Sequence, residues 1–134
     1  MIDSPAGICE LVLESADIDR TVEFYERIGL GVLLREPGRV WLDAGESVRI
    51  GIWTTGEKEH RDRGGAHVHF ALSISPAGLD AMVERFTESG QIFEGPVTHD
   101  GGDRSIYLSD PEGNRVELWD VPNPASRSIG VSRG

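Results

Sequence analysis

The 134-residue chain has one cysteine, one lysine and no apolar run that approaches the length of a membrane span. Each scarcity excludes something. Cys9 alone can form no internal disulfide, and its alternation with Leu11 and Leu13 assigns it to an apolar strand face as packing. Of 13 Lys and Arg residues only Lys58 is lysine, the arginines are scattered among acids and the net charge is −10, so the basic footprint of a nucleic-acid binder is missing. With no spanning run, a membrane partner is not expected. Met1-Ile2-Asp3-Ser4-Pro5 has neither the basic start nor the apolar core of a secretory signal, and a cytoplasmic location is the expectation. What is present, 38% hydrophobic and 27% charged residues, suits a single globular domain over residues 1–134.

The chain also contains a repeat. Val40 to Trp53 aligns without a gap on Ile106 to Trp119, setting Trp41 on Tyr107, Arg49 on Arg115, Gly51 on Glu117 and Trp53 on Trp119. Upstream of each copy the pattern predicts a strand and then a helix. Residues 8–14 form the first strand, and Asp17 caps a helix with Ile18, Val22 and Tyr25 as its apolar stripe, ended by Gly29. Residues 66–74 form the matching strand, and Ser75-Pro76 opens a helix bearing Leu79, Met82, Val83 and Phe86, ended by Gly90. Residues 31–36 and about 91–97 add a strand to each half, and Asp110-Pro111-Glu112-Gly113-Asn114 has the chemistry of a turn. The expectation is an α+β domain of two βαβββ modules, about 7–54 and about 66–121, with a polar linker at 55–65 and a loosely held tail at 122–134.

Strand alternation then sorts the polar residues. Cys9, Leu11 and Leu13 face the first helix and leave Glu10 on the other side; Val68, Phe70 and Leu72 leave His67 and His69; Val116 and Leu118 leave Arg115, Glu117 and Trp119. The repeat sets Glu10 on His67. Glu10, His67 and Glu117 thus form a candidate site for a divalent cation, Fe, Mn, Co, Ni or Zn, because two carboxylates neutralise such an ion and would repel without it. Trp53, Trp119, Arg49, Arg115 and His69, with Trp41 and Tyr107 nearby, are candidate contacts for a small-molecule substrate. The plainer readings are a solvated Glu on an open strand, sheet histidines that are simply hydrogen-bonded, and tryptophans packed between half-units. His60 and His99 fall in loops and are read as surface residues.

Three stretches resemble the vicinal oxygen chelate superfamily, which includes glyoxalase I, extradiol catechol dioxygenases, fosfomycin-resistance enzymes and bleomycin-resistance proteins. They are Glu10 to Leu30, with Asp17, Thr21, Phe24 and Tyr25 in the family's helix pattern; Gly65-Ala66-His67-Val68-His69-Phe70; and Tyr107 to Leu118. The resemblance implies paired modules forming a cup-shaped open barrel around a metal, with ligands that fall on Glu10, His67 and Glu117, and Glu117 as a catalytic carboxylate. Glu10 stands where the family usually has His, or Gln in some glyoxalases, and Gly51 cannot supply the fourth ligand of glyoxalase I. The implied function is a metal-dependent lyase, isomerase or dioxygenase acting on a small oxygenated substrate that chelates the metal. The alternative is a metal-free binding protein of the bleomycin-resistance type, which sequesters an aromatic or cationic compound. A homodimer with shared sites is the expected assembly, since each open sheet face needs a partner half-unit.

Overall fold

The computed structural model describes residues 8, 10–56 and 68–122; Cys9, His60, His67, linker residues 57–65 and the tail from residue 123 lie outside the described residues. The chain divides into two units, Met1–Arg63 and Gly64–Gly134. Each repeats one element order. In the first unit β1 (Glu10–Ser15) leads into α1 (Ile18–Arg27), followed by β2 (Val32–Glu36), β3 (Arg39–Asp43) and β4 (Arg49–Thr54). The second contains β5 (His69–Ser73), α2 (Pro76–Ser89), β6 (Glu94–Thr98), β7 (Arg104–Ser109) and β8 (Arg115–Trp119). The sheets run β1-β4-β3-β2 and β5-β8-β7-β6, so the α+β class and the two βαβββ modules expected from the repeat are present. Among the described residues no helix is long and apolar enough to cross a membrane.

Local chemistry explains the elements. Asp17 accepts a hydrogen bond from Arg20 N at 3.2 Å and starts α1, whose buried side Thr21, Val22, Phe24 and Tyr25 packs on β3 and β4. A buried Ser15 Oγ to Thr21 Oγ1 hydrogen bond of 2.8 Å ties the end of β1 to that helix. In α2, Ser75 Oγ accepts from Gly78 N at 3.0 Å, Pro76 occupies the first turn, and Gly90 closes the helix in the left-handed region. The cores are Leu13, Leu42, Ile50 and Ile52 in the first unit and Leu79, Phe86, Ile106, Val116 and Leu118 in the second. Each such side chain contributes roughly 1.5–3 kcal/mol of burial. Arg104 fastens α2 to β7 and β8, bonding Asp80 at 2.8 Å, Asp120 at 3.2 Å and the Pro76 carbonyl at 3.3 Å. Its guanidinium is held protonated beyond its ordinary range, first by the Asp80 hydrogen bond and against desolvation.

Ladder registers superpose the two units. Trp41 pairs with Gly51 and Arg39 with Trp53; Tyr107 pairs with Glu117 and Ser105 with Trp119. The gapless repeat is therefore a structural one. In the parallel ladders Glu10 pairs with Arg49 and His69 with Arg115, so His69, and not His67, occupies the position equivalent to Glu10. A shift of two residues preserves strand parity, which is why alternation alone could not separate the two histidines.

Candidate functional site

The second unit gathers the polar groups around Glu117. Its strand, β8, lies between β5 and β7, and alternation turns Val116 and Leu118 towards the helix side and Glu117 to the opposite face. There Glu117 is only 5% exposed. A buried carboxylate requires partners, and it has two: His69 Nε2 lies 3.1 Å from Oε1, and Ser105 Oγ donates to Oε2 at 2.7 Å. Ser105 in turn lies 2.9 Å from His99 Nε2.

Aromatic groups frame this cluster. The Tyr107 ring meets His69 edge-on at 6.1 Å, with the Arg115 guanidinium 4.3 Å above its centroid and 3.3 Å from Glu94. Trp119 is buried, donates from Nε1 to Asp103 at 2.6 Å and meets the His99 ring at 6.1 Å.

His99 corrects the sequence reading. It does lie in the β6–β7 loop, but it is 5% exposed rather than at the surface. The loop folds back on itself through His99 N to the Asp103 carbonyl at 2.8 Å and Gly102 N to the His99 carbonyl at 2.9 Å. A loop histidine carries no local signal of such burial; the nearest hint was a polar Ser105 at the start of an apolar strand.

The first unit treats the equivalent face differently. Glu10 Oε1 accepts from Arg49 Nε at 2.8 Å and lies 2.8 Å from Arg49 Nη2 in an ion pair, and Arg49 stacks 3.7 Å from the Trp41 centroid. The ion pair is exposed, so its net contribution is about 0–1 kcal/mol, and a stronger partner can displace it. Gly51 replaces Glu117 here because nothing larger fits: a β-carbon would stand 2.7 Å from both Trp41 Cζ3 and Trp53 Nε1. The two indoles meet edge to face at 5.8 Å, and Arg39 lies 5.2 Å from the Trp53 ring.

Of the ligands expected from the sequence, Glu117 and Glu10 are both on the faces opposite the helices, and His67 lies outside the described residues. Among the described residues no cluster of three His, Cys, Asp or Glu donors is assembled. The donor chemistry around Glu117 does fit a divalent ion: an imidazole nitrogen and a carboxylate oxygen face one another, and each is a ligand type such an ion takes.

Comparison with known proteins agrees with this architecture. The family model of the Glyoxalase/Bleomycin resistance protein/Dioxygenase superfamily matches residues 7–118. The chain is 33% identical over 124 residues to the glyoxalase domain-containing protein RDO1 of Mycosarcoma maydis, covering 86% of this chain and 68% of that protein. To the metallothiol transferase FosB of Bacillus licheniformis it is 26% identical over 118 residues, covering 84% and 73% respectively. Among solved structures, lactoylglutathione lyase from Agrobacterium tumefaciens aligns with a TM-score of 0.70 at 25% identity, over 87% of this chain and 95% of that one.

Proposed function

The chain belongs to the Glyoxalase/Bleomycin resistance protein/Dioxygenase superfamily, and from that premise we propose that it is a cytoplasmic, divalent-metal-dependent enzyme acting on a small substrate with adjacent oxygens. The observation that carries the proposal is the buried Glu117 carboxylate with the His69 imidazole at 3.1 Å. Burying a carboxylate on a sheet face is costly, and a metal donor is a function that offsets the cost. In this reading Glu117 and His69 hold the ion, and the third donor is the Glu10 of a second copy of the chain. His69 takes the imidazole role first expected of His67 because it shares the ladder position of Glu10. The likeness to a metallothiol transferase supports metal use.

A bound divalent ion would supply Lewis-acid polarisation of the substrate oxygens. The protein's own groups do the rest. Arg115, stacked on Tyr107, offers a cation to an anionic substrate oxygen, and Glu117 can take up or return a proton at the reacting carbon. Titrating chelator-stripped protein with Mn²⁺ tests the donor set. His69→Ala should weaken binding by at least about tenfold and His67→Ala by much less. The reverse order would return the imidazole role to His67, and equal titrations of both variants and the parent would remove the reading.

A second reading, metal-free sequestration of an aromatic or cationic compound, is favoured by the first unit. There Glu10 is already paired with Arg49, and indoles fill the space above Gly51. The same titration separates the two readings, since a sequestering protein takes up no Mn²⁺.

The proposed assembly is a homodimer in which Glu10 of one chain and Glu117 of the other serve one site. Mixed Glu10→Ala and Glu117→Ala chains should then regain part of the metal binding, because half of the sites in each heterodimer are intact. A monomer in sedimentation at micromolar concentration would contradict the arrangement.

A further inference from the structure

We propose that His99, acting through Ser105, is a positioning residue that fixes which oxygen of Glu117 is free to take a ligand; the inference rests on Glu117 being the anionic metal donor. Hydrogen-bond polarity sets the direction of donation here. A carboxylate only accepts, and a serine hydroxyl has one hydrogen to give. Ser105 spends that hydrogen on Glu117 Oε2 at 2.7 Å. Its oxygen can therefore only accept from His99 Nε2, 2.9 Å away, and His99 must carry its proton on Nε2. The chain of donors runs one way, from imidazole to hydroxyl to carboxylate.

Each member is held in turn. The His99 ring is buried, lies edge-on to Trp119 at 6.1 Å, and sits in a loop closed by the 2.8 Å bond from its own N–H to the Asp103 carbonyl. Trp119 is itself anchored by its 2.6 Å bond to Asp103. A hydroxyl rotor next to a carboxylate would otherwise have several orientations; the His99 donor leaves Ser105 one. Oε2 is thereby committed, and Oε1, whose partner is the His69 imidazole at 3.1 Å, is the oxygen that a metal would take together with that imidazole. The first unit has no such arrangement, since the ladder positions of Ser105 and Glu117 are held there by Arg39 and Gly51. Outer partners of this kind orient a ligand and raise its affinity for the ion.

Two measurements test the role. Nitrogen spectra of metal-free protein labelled in histidine, with His99 assigned by its loss in His99→Gln, should show the Nε2–H tautomer at mildly alkaline pH and lose that preference in Ser105→Ala. Mn²⁺ titration should show Ser105→Ala weakened about tenfold and Ser105→Thr restored towards the parent, with His99→Gln, which keeps a donor, weakened less than His99→Phe. An Nδ1–H tautomer in the parent overturns the proposal without touching the metal reading. So does a Ser105→Ala titration equal to the parent's. A parent protein that takes up no Mn²⁺ removes the metal reading and this role with it.

Discussion

Glu117→Gln is expected to lower divalent-metal affinity by at least tenfold, with little change in thermal stability. The substitution keeps shape and volume, and the amide oxygen can still accept the Ser105 hydrogen bond now made to Oε2 at 2.7 Å. What disappears is the negative charge opposite the ion, and with it the donor strength of the oxygen beside His69. Loss of an outer partner alone costs about 10–100-fold, so loss of an anionic ligand belongs at the upper end of that range; tenfold corresponds to about 1.4 kcal/mol. Calorimetric titration with Mn²⁺, paired with a thermal melt of the metal-free protein, reads both parts. A variant that titrates like the parent would mean that Glu117 is buried for another reason.

The second large effect concerns stability. Asp110→Ala should destabilise the protein by roughly 2–5 kcal/mol, because one buried carboxylate organises the whole β7–β8 turn. Its Oδ1 accepts from the backbone N–H groups of Glu112 and Asn114, both at 2.9 Å, and its Oδ2 accepts from Asn114 Nδ2 at 2.8 Å. Asn114 is buried, so deleting the carboxylate strands donors that water cannot reach. Gly113 completes the turn at φ 85, a conformation that other residues adopt only with strain. The turn also sets the pairing of Tyr107 with Glu117, and loosening it should weaken metal binding as well. Asp110→Asn keeps the Oδ1 acceptor and should cost clearly less. Urea unfolding of both variants checks the order, and a loss below about 0.5 kcal/mol for Asp110→Ala would mean that the turn holds without its carboxylate.

The fold was legible because its signals are local and occur twice. Asp17, Ser75-Pro76 and Gly90 cap helices where their chemistry places them, and the alignment of Trp41 with Tyr107 and Gly51 with Glu117 reappears as ladder pairs. Even the turn at Asp110 could be read from composition. The site was legible only as a set of faces. Alternation put Glu117 and His69 on one side of the sheet, but the distance between them depends on how β5 pairs with β8, and parity is blind to a shift of two residues. The Glu10–Arg49 pair joins residues 39 apart in the chain, so no local pattern announces it. His99 was missed for a related reason: its burial comes from Ser105 and Trp119, contacts made by tertiary folding and not by its neighbours in sequence.

Metal content is the most direct test of whether Glu117 serves as an anionic ligand. Protein purified without chelator or a histidine tag, dialysed against metal-depleted buffer and analysed for Mn, Fe, Co, Ni and Zn, should retain about one divalent ion per chain, and Glu117→Gln treated identically should retain far less. No enrichment over buffer in the parent, together with no uptake when each ion is added back, would contradict the account and leave metal-free binding as the surviving reading.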